Sequence, residues 1–198
     1  MKLRLFVTSF AVCCAATILA AMTVSPQDPA DMEKMFADAI AKYGAPAEEH
    51  EMLAKREGAW HTEVKMWMAP DAPPEVHEGE SNMQMIMDGR YLFEQFNMTF
   101  NGMDFEGAGL TAYDRMSNEY QSIWIDNMST AILWSTGKEK NGECVMKGKQ
   151  PDIMAGHYVP MRSVERTVDD NTFVMEMYMP GEGGKDFKSM EITYTRAD

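Results

Sequence analysis

Between Trp60 and Arg196 apolar and polar residues alternate one by one in short runs, and turn residues break the runs at close intervals. A period of two is the signature of strands with one face buried. The runs predict ten strands: Trp60–Met68, Val76–Met87, Arg90–Phe100, Asp104–Tyr113, Tyr120–Asn127, Ala131–Lys138, Cys144–Lys149, Tyr158–Thr167, Thr172–Met179 and Ser189–Arg196. Asp88-Gly89, Asn101-Gly102 and Asn141-Gly142 between them supply the positive φ that tight hairpins demand. Short hairpin links without crossover helices imply up-and-down antiparallel connectivity, and closing the sheet removes its exposed edges. The expected fold is mainly β: a single antiparallel up-and-down barrel of about ten strands, preceded by two short helices.

Those helices are marked by caps and by a switch of period. Asp28 is placed as an N-cap, Pro29 at the first helical position and Asp31 in the first turn. Met32, Met35, Phe36, Ala39, Ile40 and Tyr43 follow at helical spacing, and Gly44 and Pro46 end the run. A second helix is predicted over Ala47–Glu57, stopping at Gly58. Both are too short to be stable alone, so each is expected to dock its apolar side, the end of the barrel being the obvious surface.

The strand series opens on Gly58-Ala59-Trp60 and closes on Tyr194-Thr195-Arg196. A Gly-x-Trp on the first strand and an Arg on the last resemble the closure of calycin barrels, the lipocalins, fatty-acid-binding proteins and their relatives. The resemblance implies that Arg196 lies across Trp60 at one end of the barrel.

Methionine dominates the apolar phase of several strands. Met66 and Met68, then Met83, Met85 and Met87, then Met175, Met177 and Met179, each share a face, in a chain with 21 methionines. Core packing by a flexible, polarizable side chain, an adaptable pocket for an apolar ligand, and Cu(I) capture by thioethers all use that property. Copper needs sulfurs from different strands aimed at one point, because alternate residues on one strand splay in parallel; packing is the expectation. On the fifth strand Tyr120, Ser122, Trp124 and Asp126 share a face. If Trp124 points inward, so does Asp126, and a buried carboxylate needs a partner. Arg90, Arg162 and Arg196 are the guanidinium groups available. Trp124, Asp126, Arg90 and Tyr113 are thus the candidate ligand-binding residues, and a structural ion pair or a rim carboxylate bonding turn amides is the alternative for Asp126.

Charge and the leader bound the partners. Lys2 and Arg4 precede an uncharged apolar run, Leu5 to Leu19, and Ala20-Ala21 offers small residues for cleavage, as in a secretion signal. The run falls short of the roughly 20 residues of a membrane span. A lipoprotein signal would use Cys13 or Cys14 but lacks the small residue expected just before the Cys. The expected organisation is a signal peptide over 1–21, a tether and amphipathic helix over 22–47, and the barrel over 48–198, in a periplasmic or secreted protein. Removing the leader moves the net charge from −13 to −15. Such acidity disfavours nucleic acid and, once the leader is gone, membrane partners. Of three cysteines only Cys144 would remain, so no internal disulfide can form.

No metal or cofactor is implied. His50, His61, His77 and His157 are scattered, none with a second His or Cys at ligand spacing. Gly107-Ala108-Gly109-Leu110-Thr111-Ala112 spells a relaxed dinucleotide fingerprint, but no helix follows it. Haem-binding calycin relatives use a late-strand His, and residues 172–196 hold none. Asn97-Met98-Thr99 and Asn127-Met128-Ser129 are sequons that matter only in a eukaryotic secretory pathway.

Gly89-Arg90-Tyr91-Leu92, Phe105-Glu106-Gly107 through Tyr113-Asp114, Tyr120 through Asp126 and Glu176 through Gly181 carry a family resemblance, with Met190 through Arg196 at its end. The chain resembles the uncharacterised bacterial domain of unknown function family 1579 across residues 48–196. That resemblance implies a calycin-like barrel, often behind a signal peptide, and assigns no activity. The leading expectation is an extracytoplasmic protein that holds a small, partly hydrophobic molecule inside the barrel without catalysis. The alternatives are a small hydrolase or isomerase with Asp126 as general base, and Cu(I) binding by the methionines.

Overall fold

The computed structural model describes residues 28–197, without the side chain of Glu182. The leader over 1–21, its Cys13 and Cys14, and residues 22–27 of the tether lie outside the described residues. The chain divides into two units, one ending at Ala41 and the other beginning at Lys42.

In the first unit α1 (Pro29–Ala39) starts as its sequence indicates, with the Asp28 carboxylate accepting the Ala30 amide at 3.0 Å. Its apolar stripe is not buried: Met32, Met35, Phe36 and Ile40 are all exposed. A π-helical turn, Ile40–Gly44, follows.

The second unit is a closed ten-stranded antiparallel barrel. A short helix, α2 (Glu48–Ala54), leads into β1 (Gly58–Met66), β2 (Glu75–Ile86), β3 (Tyr91–Phe100), β4 (Met103–Asp114) and β5 (Glu119–Asp126). The chain continues through β6 (Leu133–Lys140), β7 (Glu143–Asp152), β8 (His157–Asp169), β9 (Thr172–Pro180) and β10 (Asp186–Arg196). Every strand pairs with its sequence neighbour, and β10 returns to β1. The Asn101-Gly102 and Asn141-Gly142 hairpins have positive φ at both residues, as their sequence requires.

Closure is built around Trp60. Trp60 and Arg196 are directly opposite in the β1–β10 register, and the guanidinium lies 4.3 Å from the ring centroid. Arg196 also donates to the carbonyls of Glu57 (2.7 Å) and Lys55 (3.0 Å), while the Trp60 indole donates to that of Arg56 at 2.9 Å. α2 ends at Ala54 and not at Glu57 because the amides of Arg56 and Glu57 turn to the carbonyls three residues back, of Leu53 (2.9 Å) and Ala54 (3.1 Å), and the carbonyls of residues 55–57 are left to take these bonds. Gly58, at φ 122°, allows the approach: a Cβ there would stand 2.8 Å from Nη1 of Arg196. Trp60, Val64, Met83, Leu92, Phe96, Phe173, Ile192 and Tyr194 form the buried core, and Leu53 of α2 packs against it.

Candidate functional site

The four residues expected to form a site fall into two groups. Trp124 and Asp126 both face inward on β5, and the Trp124 indole donates to Asp126 Oδ2 at 3.2 Å. Oδ1 accepts the amides of Met128 (3.0 Å) and Ser129 (3.1 Å). Asp126 is thus held by local donors, and both of its oxygens are engaged. None of the three arginines offered as its partner reaches it. Arg90 donates to the carbonyls of Gly44 (2.9 Å) and Met87 (3.1 Å), Arg162 lies 3.9 Å from the Tyr178 ring centroid, and Arg196 covers Trp60. Tyr113 stands edge-on to His50 and Tyr120 near the other end of β4. In the β4–β5 register Asp126 pairs with Gly107 and Tyr120 with Tyr113, a separation of about 20 Å along the strands. Trp124 with Asp126 and Arg90 with Tyr113 therefore occupy different ends of the barrel.

The inner wall carries a carboxyl that the pattern reading passed over. Leu92, Glu94, Phe96 and Met98 share the inward phase of β3, so Glu94 faces the lumen. Its Oε1 accepts the hydroxyls of Ser81 (2.8 Å) and Tyr194 (3.3 Å). Among the described residues no donor reaches Oε2, which lies 3.6 Å from where a Cβ of Gly109 would stand. The Trp124 indole comes to 3.2 Å of that same point, so carboxyl and indole meet over the bare backbone of Gly109. Gly107 and Gly109 are where they are because Trp124 fills their side-chain space; this is the use of the run that spells a dinucleotide fingerprint. Burial pushes the Glu94 carboxyl up to about 7, with the Glu165 charge adding to the shift and the Ser81 and Tyr194 hydrogen bonds opposing it.

A second acid faces the same interior. Val64, Ile192, Met175, Glu165 and Cys144 are neighbours in register on the inner face of β1, β10, β9, β8 and β7. Arg56 enters from the end of α2, meets Glu165 at 2.6 Å and lies 3.7 Å from the centroid of Phe173, which stacks on Tyr194. Burial pushes the Cys144 thiol up to about 12. Thr62, opposite Tyr194 on the same inner face, has a buried hydroxyl with no hydrogen-bond partner among the described residues.

The interior is not packed solid. Glu165 faces inward yet keeps 39% of its side chain exposed, and Trp124, Met98, Met175 and Met177 on the inner wall are only half-buried. Protein surrounds Glu94 on nearly every side, yet its side chain still touches water-sized space, as a carboxyl at the edge of a lumen would. Two surface concavities lie elsewhere. One, of about 430 Å³, is a groove on the outer face of β1, β2 and β10 beside His61, Glu63, Glu78 and Glu80. Another, of about 260 Å³, lies between Tyr43, Glu49, Tyr113 and Arg115. No group of three His, Cys, Asp or Glu side chains among the described residues is placed to hold a metal ion. The methionines line up across strands: Met66, Met190 and Met177 are paired in register on the inner face of β1, β10 and β9.

One signal for Glu94 was present in the sequence. It is a charge in the apolar phase of an otherwise apolar face, Leu92, Phe96, Met98 and Phe100. Its partners come from β2 and β10, so only the folded barrel brings them to it.

The same barrel occurs in proteins of very different sequence. The structure of Rv2717c from M. tuberculosis superposes with a TM-score of 0.54 at 11% identity, covering 78% of this chain and 100% of that one. The S-type phycobiliprotein lyase CPES from Guillardia theta gives a TM-score of 0.54 at 9% identity, covering 77% and 94%. Identities this low establish a shared fold alone. No curated protein matches the chain by sequence. The family described as Protein of unknown function (DUF1579) matches residues 45–196, the second helix and all ten strands, and the chain belongs to that family.

Proposed function

We propose that this protein binds a small, partly hydrophobic molecule in the lumen of its barrel, outside the cytoplasm. The observation that carries the reading is the inner wall around Glu94. An apolar interior of methionine and aromatic side chains holds one deep carboxyl with a free oxygen, and its inward-facing side chains still meet open space. Few placed polar groups in an apolar enclosure are the usual make-up of a small-molecule site. The barrel shared with a phycobiliprotein lyase supports the reading at the level of the fold. The location rests on the leader, with its Lys2, Arg4 and apolar run from Leu5 to Leu19. Within the lumen Trp124 serves as a wall and Glu94 as the polar anchor, while Arg90 and Tyr113 hold the closed end together. Asp126, with both oxygens engaged, is a support for Trp124 and not a general base.

Native mass spectrometry of protein purified from the extracytoplasmic fraction of its own organism tests this directly. The expected result is a mature chain starting near Met22 that carries a small-molecule adduct, lost on denaturation. A bare chain that also fails to take up apolar probes would overturn the binding reading, and an intact leader would overturn the location.

A further inference from the structure

We propose that the lumen's occupant joins an apolar body to a protonated amine, with the ammonium held on Oε2 of Glu94; this rests on the lumen-binding reading above. Glu94, Glu165 and Asp126 are acids on the inner face of β3, β8 and β5. Arg56 is the base that reaches into the same interior, and it is committed to Glu165 at 2.6 Å, to Thr167 at 3.3 Å and to the face of Phe173. Arg196 is bound to backbone carbonyls beneath Trp60. His77, opposite Val64 on the inner face of β2, stands edge-on to Phe100 near the far end of β3; its buried Nε2 makes no hydrogen bond among the described residues and lies 3.7 Å from Glu75. Among the described residues an anionic ligand would therefore meet acids in the lumen and no uncommitted guanidinium to receive it.

A cation meets the opposite situation. Oε1 of Glu94 is already fixed by Ser81 and Tyr194, which sets the plane of the carboxyl and leaves Oε2 as the acceptor facing space. An ammonium brings three donors and the compensating charge, and a charge-assisted hydrogen bond of this kind is about twice as strong as a neutral one. The Trp124 ring lies beside that oxygen over Gly109, with Phe96 packed against it at 6.2 Å between centroids. Indole faces attract cations, most strongly where water is excluded. The rest of the wall, Met85, Met98, Met175 and Met190, offers polarizable side chains that adapt to an irregular apolar body.

The energetics couple binding to protonation. The unliganded carboxyl titrates near neutrality because burial penalises its charge, and the Tyr194, Cys144, Glu165 and Arg56 groups around it supply no uncommitted positive charge. An ammonium on Oε2 stabilises the carboxylate, so binding near pH 7 expels the proton that part of the population carries. Affinity for the amine should therefore rise as pH climbs from 5.5 to 8, whereas affinity for a neutral analogue should not.

A matched series of decylamine, decanol and decanoic acid, titrated calorimetrically into the mature chain below micelle-forming concentrations, tests the proposal. At pH 8 decylamine is expected to bind at least tenfold tighter than decanol and tighter still than the acid. At pH 7 its binding should release protons, seen as a dependence of the heat on the buffer's ionisation enthalpy. In Glu94→Gln, which keeps the side chain's shape, the amine should fall to the affinity of the alcohol and the proton release should vanish. Equal affinity for all three compounds, tighter binding of the acid, or an amine preference untouched by Glu94→Gln would overturn the amine assignment and leave lumen binding standing. Failure of all three to bind would overturn both. Should Glu94→Gln not fold, the pH dependence of the amine-to-alcohol affinity ratio in the unaltered protein decides the matter alone, a flat ratio being the negative result.

Discussion

The indole of Trp124 occupies the space that a side chain at position 107 would fill: a Cβ on Gly107 would collide with its six-membered ring. Two strands thus make one inner wall, β4 giving up side chains so that β5 can lay a large one across them. Gly107→Ala should force the ring aside at an overpacking cost of about 1–3 kcal/mol. Tryptophan fluorescence, with Trp124→Phe as the reference for its share of the signal, should shift in the variant. An unchanged spectrum and an unchanged denaturation midpoint would show that the wall is not built this way.

Glu94 should give the protein an acid-side gain in stability. Its folded value of about 7 lies above the ordinary 4.5, so between those values the native state holds a proton that the unfolded chain has lost. Stability therefore falls as pH rises through that window, by about 3 kcal/mol in all, and Glu94→Gln should remove that contribution. Asp114 runs the other way: the Met116 amide and the Ser117 hydroxyl hold its carboxyl below the usual range. Its contribution is kept above that range and lost in stronger acid. Urea titrations at pH 5 and pH 8 check the Glu94 contribution; an equal stability difference between the two pH values in both proteins would contradict it.

Arg196→Ala should open the closed end. The change removes the cation–π contact with Trp60 and leaves the Glu57 and Lys55 carbonyls without their donor. A loss of about 2–4 kcal/mol is expected, with Lys at the same position recovering only part, because one ammonium cannot span two carbonyls and a ring. Thermal unfolding within 0.5 kcal/mol of the unaltered protein, on the order of error for a surface change, would count against this role for Arg196.

Cys144 should be chemically quiet in the native state. With its thiol pushed up to about 12 by burial and by the Glu165 and Glu139 charges, almost none is thiolate at pH 8. Labelling by a water-soluble disulfide reagent should be slow in the folded protein and fast in denaturant. Rapid native labelling would mean that this side of the lumen is open to bulk solvent and more polar than the geometry indicates.

Much of this architecture was legible because its causes are local. Alternation from Trp60 to Arg196 specifies strands, the Asn-Gly pairs specify hairpins, and Asp28-Pro29 specifies a helix start, each through the backbone preferences of a few adjacent residues. Trp60 and Arg196, though 136 positions apart, were legible for another reason: they stand at the two ends of the strand series, where a closed barrel must bring first and last strands together.

The site was legible only in part. Trp124 and Asp126 share a face because they are two residues apart on one strand, but the fate of the Asp126 carboxyl depended on amides that the following turn aims at it. Arg90 and Arg162 were plausible partners on charge alone, and chain direction carried them elsewhere. Glu94 announced itself as a charge in an apolar phase, yet nothing near it in sequence says that Ser81 and Tyr194 will take one oxygen and leave the other free. Local pattern determines which face of a strand a residue occupies, because the pleat imposes a period of two. What that residue meets across the lumen is decided by strand order, register and closure, which exist only when all ten strands are in place.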